Sequence, residues 1–320
     1  MKPIKMILII FLLGTSFIAS QEFPRIKKAE IACKVNFVKR TSLFFYRYIL
    51  KNDISSSGEL FSFDIDASIQ NSKVIDTVGL EFANHLLRNT FRRNYSYCIG
   101  KIIPFGVSSV PNILTVGSMS LEPSEIHFSL FPSRRPGETV DSLEINSVGL
   151  PSIRKVTFSI SIEDVIDQLP DLEDTTSTMT ESQRDSILTS LAYTTWTVGP
   201  NVYADDISFV GILDSIKSYT ERSAILKWIV VKKEDDKEKE KGREIVKELM
   251  KYLDKAREHL VKNKIKEAKK QLKEFVEKVE ENYHENDKDE EKEKSEHSYL
   301  TSEAYALLKY NAEYLIQQLK

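Results

Sequence analysis

The sequence predicts two units of different class, an N-terminal all-β antiparallel sandwich and a C-terminal all-α helical bundle. Three patterns carry this expectation. Phe61, Phe63 and Ile65 alternate with Ser62, Asp64 and Asp66, the period of two of a half-buried strand. Short apolar runs punctuated by Pro and Gly fill residues 29–160 with no helical interludes. Between Arg243 and Glu281 the apolar residues recur at threes and fours.

The chain opens with Lys2 and Lys5, an apolar run from Met6 to Leu13, and mostly small residues from Gly14 to Ser20. A basic start, a short apolar run and a small-residue cut after Ser20 predict a secretory signal peptide over residues 1–20. That run is too short to span a bilayer comfortably, and no other run approaches the needed length. The mature chain is therefore expected without a membrane span, either secreted or at the cell surface or periplasm. Export permits a disulfide, and the two cysteines, Cys33 and Cys98, are its candidates. Cys33 shares a strand face with Ile31, Val35 and Phe37, which suits a bridge or a buried thiol equally.

Within residues 21–200, strands are expected at Ala29–Val38, Leu43–Leu50, Phe61–Ile65, Tyr95–Ile103, Ile113–Leu121, Ile126–Phe131, Leu143–Val148, Ile153–Ile162 and Thr194–Val198. Leu80–Leu87 reads as a short helix or a strand. Residues 163–190 are rich in Asp, Glu, Ser and Thr, with little to bury around Asp171–Thr178, and are expected as an exposed loop. Gly199-Pro200 is expected to stop the last strand.

The helical unit spans 205–320. Asp205 or Asp206 is positioned to cap a helix bearing Phe209, Ile212, Leu213, Ile216 and Tyr219, which the pattern extends towards Trp228-Ile229. Lys232–Arg243 is a charge run, expected as a solvated linker or frayed helix start. A hairpin follows, with Ile245, Leu249, Leu253, Ala256 and Leu260 on one helix. After a break at Lys262-Asn263-Lys264, Ile265, Ala268, Leu272, Phe275 and Val279 continue the stripe. A second charge run, Asn286–Glu296, precedes a final helix capped by Thr301. That helix is apolar over most of its circumference, which predicts packing against both the first helix of this unit and the hairpin.

Composition bounds the function classes. Of the 320 residues, 41% are hydrophobic and 29% charged, and 45 basic against 48 acidic residues leave a net charge of −3. There is no global basic field for a nucleic-acid partner. His85, His127, His259, His284 and His297 show no metal-ligand spacing, so no metal site is expected. There is no Gly-x-Ser-x-Gly elbow. Gly100-Lys101 fails as a phosphate loop, with Tyr95 where a Gly is needed and Ile102 where Ser or Thr is needed. No catalytic residue and no cofactor is assigned. The open hydrolytic candidates are carboxylate groups: Asp64/Asp66, Glu163/Asp164/Asp167 and Asp205/Asp206. Phe44, Phe45, Tyr46 and Tyr48 put rings on both faces of one strand, for packing or for a binding surface.

The C-terminal region resembles the FIMAH-type helical domain of secreted bacterial proteins. The resemblance rests on Ile212–Ile216, Trp228-Ile229, the hairpin with Ala268–Val279, and Leu300–Leu308 through Glu313–Ile316. The N-terminal region is similar to the β-domain that precedes it, through Tyr46–Asn52, Phe61–Asp64, Pro136-Gly137, Gly149-Leu150-Pro151 and Thr197–Pro200. Between Trp228 and Gly242 the chain departs from that pattern, with Lys and Glu in place of a Gly/Asn turn. The resemblance implies a modular extracellular protein and supplies no catalytic residues. The leading expectation is a secreted non-catalytic binding or surface-attachment protein, its partner an extracellular ligand or cell-surface component. The alternatives are an extracellular hydrolase of polysaccharide or peptide using acids of the β-domain, and a helical oligomerisation module.

Overall fold

A computed structural model describes residues 24–40, 42–66, 115–122, 125–147, 149–160, 165, 180–201, 203, 206–229, 236–283 and 298–320. In chain order the strands are β1 (Ala29–Val38), β2 (Leu43–Asn52), β3 (Leu60–Asp66), β4 (Thr115–Glu122), β5 (Glu125–Arg134), β6 (Thr139–Ser147) and β7 (Leu150–Ile160). Then come α1 (Glu181–Leu191), β8 (Tyr193–Asn201), α2 (Phe209–Ile225), α3 (Asp236–Val261), α4 (Ile265–Glu281) and α5 (Ser302–Gln318). The signal-peptide residues 1–20, Leu80–Leu87, Tyr95–Ile103 and Asn286–Glu296 lie outside the described residues.

The strands form two antiparallel sheets, β1-β2-β6 and β4-β5-β3-β7-β8, and the helices lie mostly in the C-terminal half. Alternation sets the register. Cys33 faces Tyr48, Val35 faces Tyr46 and Ile31 faces Leu50 across β1 and β2, so one face of the smaller sheet is apolar. In the larger sheet Phe63 pairs with Phe128 on β5 and Phe158 on β7, and the Phe63 and Phe128 rings stack at 4.6 Å. Gly137 takes φ +88° in the turn between β5 and β6, a conformation that favours glycine, and its N–H donates to Asn52 O at 2.7 Å.

Several boundaries differ from the expected ones. Gly199-Pro200 does not stop β8, and β7 begins at Leu150 through Pro151. Pro151 and Pro200 face each other in the β7–β8 register, beyond the point where β3 ceases to pair with β7. A missing N–H costs no ladder bond where it would point out of the pair. The expected loop at 163–190 ends in a helix, α1. Thr180 and Gln183 form a capping box that satisfies the first-turn donors in a segment of weak apolar character. Ser208, rather than Asp205 or Asp206, caps α2 by accepting from Gly211 N–H at 3.0 Å. That helix stops at Ile225, before Lys227 at φ 59°.

The helix stripes are buried as their spacing dictates. Leu249, Leu253 and Ala256 of α3, Leu272, Phe275 and Val279 of α4, and Leu307, Leu308 and Leu315 of α5 are fully inside. The charge run is helical from Asp236 onward. Thr301 caps α5, accepting from Ala304 N–H. The last helix touches α2 and α4, as its apolar circumference predicts, and also lies along β1 and β7. Buried side chains of the sheets and helices form one continuous core. Among the described residues no helix is long and apolar enough to cross a membrane.

Candidate functional site on the five-stranded sheet

Asp64 and Asp66 stand on β3, an internal strand, with Phe63 and Ile65 fully buried on the opposite face. Both acids are half-buried. The register sets Asp64 opposite Thr157 of β7 and His127 of β5, and Asp66 opposite Glu125 of β5. Antiparallel partners share a face, so Thr157 and its β8 partner Thr194 extend the row, with their hydroxyls 3.5 Å apart. Two residues along, Lys155 pairs with Trp196. Trp196 is 38% exposed, and the Arg222 guanidinium from α2 sits 4.7 Å from its ring centroid. The face thus offers one aromatic platform beside an ammonium, two hydroxyls and a carboxylate. Such a surface can stack a flat or ring-shaped ligand and bond its polar edge.

Beneath this face lies a buried polar seam that fixes it in place. Arg154 is 1% exposed; it donates to Pro200 O at 3.1 and 2.7 Å and to Asn201 Oδ1 at 2.9 Å. Burial lowers the guanidinium's pKa, and the nearby Asp66 charge opposes that shift. Gly199 makes room for the stem, since a Cβ there would lie 3.0 Å from Arg154 Cγ. Tyr46 and Tyr48 of the smaller sheet donate to Gly149 O at 2.7 Å and Val198 O at 2.9 Å, so their bonds cross between the sheets. Burial pushes both phenols well up. Ser152 and the Tyr219 hydroxyl lie 3.0 Å apart, which ties β7 to α2. Asn311 of α5 accepts from Tyr203 at 2.8 Å and donates to Pro151 O at 2.8 Å.

The same helix closes the open edge of β1. Glu303 accepts Cys33 N–H at 2.7 Å, and Tyr310, two turns later, donates to Val35 O at 3.3 Å. These groups occupy the side of β1 that has no strand partner among the described residues. The Cys33 side chain is buried and makes no disulfide among the described residues, and its thiol is pushed up in pKa by desolvation and then by the Glu303 charge. Cys98, the other half of the candidate bridge, lies outside the described residues, as do His85, His284, His297, Glu163, Asp164, Asp167, Asp205 and Gly100-Lys101. Asp206 is exposed ahead of α2, and His259 is half-buried near the end of α3. Among the described residues no three His, Cys, Asp or Glu side chains gather as a metal site.

Of the strand aromatics, Phe44, Tyr46 and Tyr48 turn into the core, and Phe45 lies half-buried on the other face. Sequence reasoning passed over Trp196 with Arg222, Arg154 and Glu303. Trp196 had one usable signal, a large ring set among Thr194, Thr195 and Thr197 on its strand. Arg154 and Glu303 had none, because their partners come from remote segments. No family model matches the chain, and no curated protein matches it.

Proposed function

We infer that the protein is an exported, non-catalytic binding or surface-attachment protein, built as a β-sandwich joined to a FIMAH-like helical bundle. The observation that carries this reading is Trp196, half-exposed and backed by Arg222 on a sheet face that also carries Lys155, Thr157, Thr194 and Asp64. The buried polar groups beneath it support the same reading. Tyr46, Tyr48, Arg154 and Asn311 bond to the chain's own backbone, which makes the face a rigid support. The test is a screen of purified residues 21–320 against immobilised glycans and peptides. Capture without turnover is expected, weakened at least about tenfold by Trp196→Ala, in keeping with the cost of removing an aromatic anchor.

A second reading has one specific observation in its favour. Asp64 stands opposite His127 in the β3–β5 register, an acid and a titratable base at facing positions. Under that reading the chain is an extracellular hydrolase. Turnover of a polysaccharide or peptide in the same screen, abolished by Asp64→Asn, would establish it over the binding reading.

A further inference from the structure

The α3–α4 hairpin is electrically polarised. From residue 262 to residue 273 stand Lys262, Lys264, Lys266, Lys269, Lys270 and Lys273, with Glu267 as the one acid among them. This lies in a chain whose net charge is −3. Lys262 pairs with Glu258, and Lys270 reaches Glu274 at 3.8 Å. Lys264, Lys266, Lys269 and Lys273 make no ion pair among the described residues, and Lys264, Lys266 and Lys273 are exposed. At the opposite end of α4 stand Glu277, Glu280 and Glu281, where Lys278 is shared between Glu281 and Glu248 of α3 and Lys309 of α5 pairs with Glu280. The positive field is therefore concentrated at the turn.

Two apolar side chains sit at the same end. Val261, the last residue of α3, is 65% exposed, and Phe209, the first of α2, is 42% exposed. Ion pairs Asp214–Arg257 and Lys217–Asp254 set α2 and α3 antiparallel. One turn further, that register brings Phe209 level with Val261 and Lys262. Val261 and Lys262 border the shallow groove that Lys217 lines from the α2 side.

We propose that this hairpin end is a peripheral docking surface for an anionic lipid headgroup layer. Lysines supply the attraction, and Val261 and Phe209 enter the headgroup boundary. A soluble polyanion would use the lysines alone, whereas a lipid surface also uses exposed apolar side chains ringed by cationic ones. No spanning segment is needed. The proposal goes beyond ligand capture at Trp196, on another element, and that capture is measured without vesicles.

The test is co-sedimentation of the full mature chain with vesicles of phosphatidylcholine alone, or with about a third phosphatidylserine, a strongly anionic surface. Binding to the anionic vesicles only is expected. It should fall steeply as salt rises from about 0.05 to about 0.5 M, where the screening length drops to about 4 Å. Lys264→Gln, Lys266→Gln and Lys273→Gln together should weaken it about a hundredfold, at roughly fivefold per lysine. Val261→Ser should weaken it about tenfold with charge unchanged. Circular dichroism confirms that these surface variants stay folded. Equal binding to neutral vesicles, no binding to anionic ones at low salt, or full binding by the triple variant overturns the proposal. Heparin retention that is indifferent to Val261→Ser, without vesicle binding, assigns the lysines to a soluble polyanion and overturns it as well.

Discussion

Glu303 and Cys33 stand 270 positions apart in sequence, yet the Glu303 carboxylate accepts the Cys33 backbone N–H at 2.7 Å. The bond ties the first turn of α5 to an edge of β1 that has no strand partner among the described residues, and Glu303 is only 5% exposed. An edge strand with open donors is a template for pairing with another chain. A helix that answers those donors from within its own chain removes that hazard.

Removing the acceptor should therefore cost more than one ordinary hydrogen bond. Glu303→Leu leaves a buried N–H unanswered, a penalty of about 1–3 kcal/mol. Glu303→Gln keeps an acceptor and should cost less than half of that. Tyr310→Phe loses the bond to Val35 O and should cost about 1 kcal/mol. Urea unfolding of the three variants checks the order. Equal stability of the Leu and Gln variants would mean that the bond contributes nothing.

The Cys33 thiol is buried at this same junction, and desolvation disfavours its reactive thiolate. A thiol reagent should leave Cys33 unmodified in the native chain and modify it once the chain is unfolded without reductant. Labelling in the native state would contradict the burial. No thiol appearing on unfolding would instead establish the bridge to Cys98.

Acid titration should report on the turn after β2. Hydrogen bonds from Ser55, its backbone first, and then the Lys28 ammonium hold the Asp53 carboxyl down at about 2 from an ordinary value of 3.8. The folded pKa is depressed, so the stabilisation is present above 3.8 and is lost as pH falls towards 2. A carboxyl NMR titration should place the Asp53 midpoint near 2. In Asp53→Asn that pH-dependent loss should vanish. A midpoint at the ordinary value would refute the turn geometry.

What was legible in the sequence is what local periodicity encodes. Phe63 and Ile65 alternate with polar neighbours, and Leu249, Leu253 and Leu272 recur at helical spacing, so their burial follows from residue order alone. Pro200 misled because a proline reads as a stop unless the missing neighbour strand is known. The site was less legible still. Asp64 stood out as an alternating acid, but Trp196 gains its character from Arg222 on α2, and Arg154 is satisfied by Pro200 and Asn201, 46 and 47 positions on. Only the tertiary path of the chain joins such groups. The same holds for α5, whose apolar circumference announced several neighbours without naming the sheets among them.

Leu308 tests how far those neighbours depend on the helix. It is fully buried on α5, one turn from Asn311 and between Glu303 and Tyr310, the residues that bond to β7 and β1. Leu308→Asp loses about 2–3 kcal/mol of leucine burial and adds the larger penalty of an unpaired carboxylate in an apolar site. Whole domains hold only about 5–15 kcal/mol, so the substitution should release α5 outright. The edge of β1 and the Pro151 carbonyl then lose their partners too, and the β signal should fall in the same thermal transition as the helical one. Gln317, exposed near the end of the helix, supplies the control, and Gln317→Asp should shift the transition by little. Far-ultraviolet circular dichroism with tyrosine and tryptophan fluorescence separates the outcomes. Helical signal lost with the sheets intact would show that the seam does not couple the two regions. A wild-type transition in Leu308→Asp would show that α5 packs only peripherally.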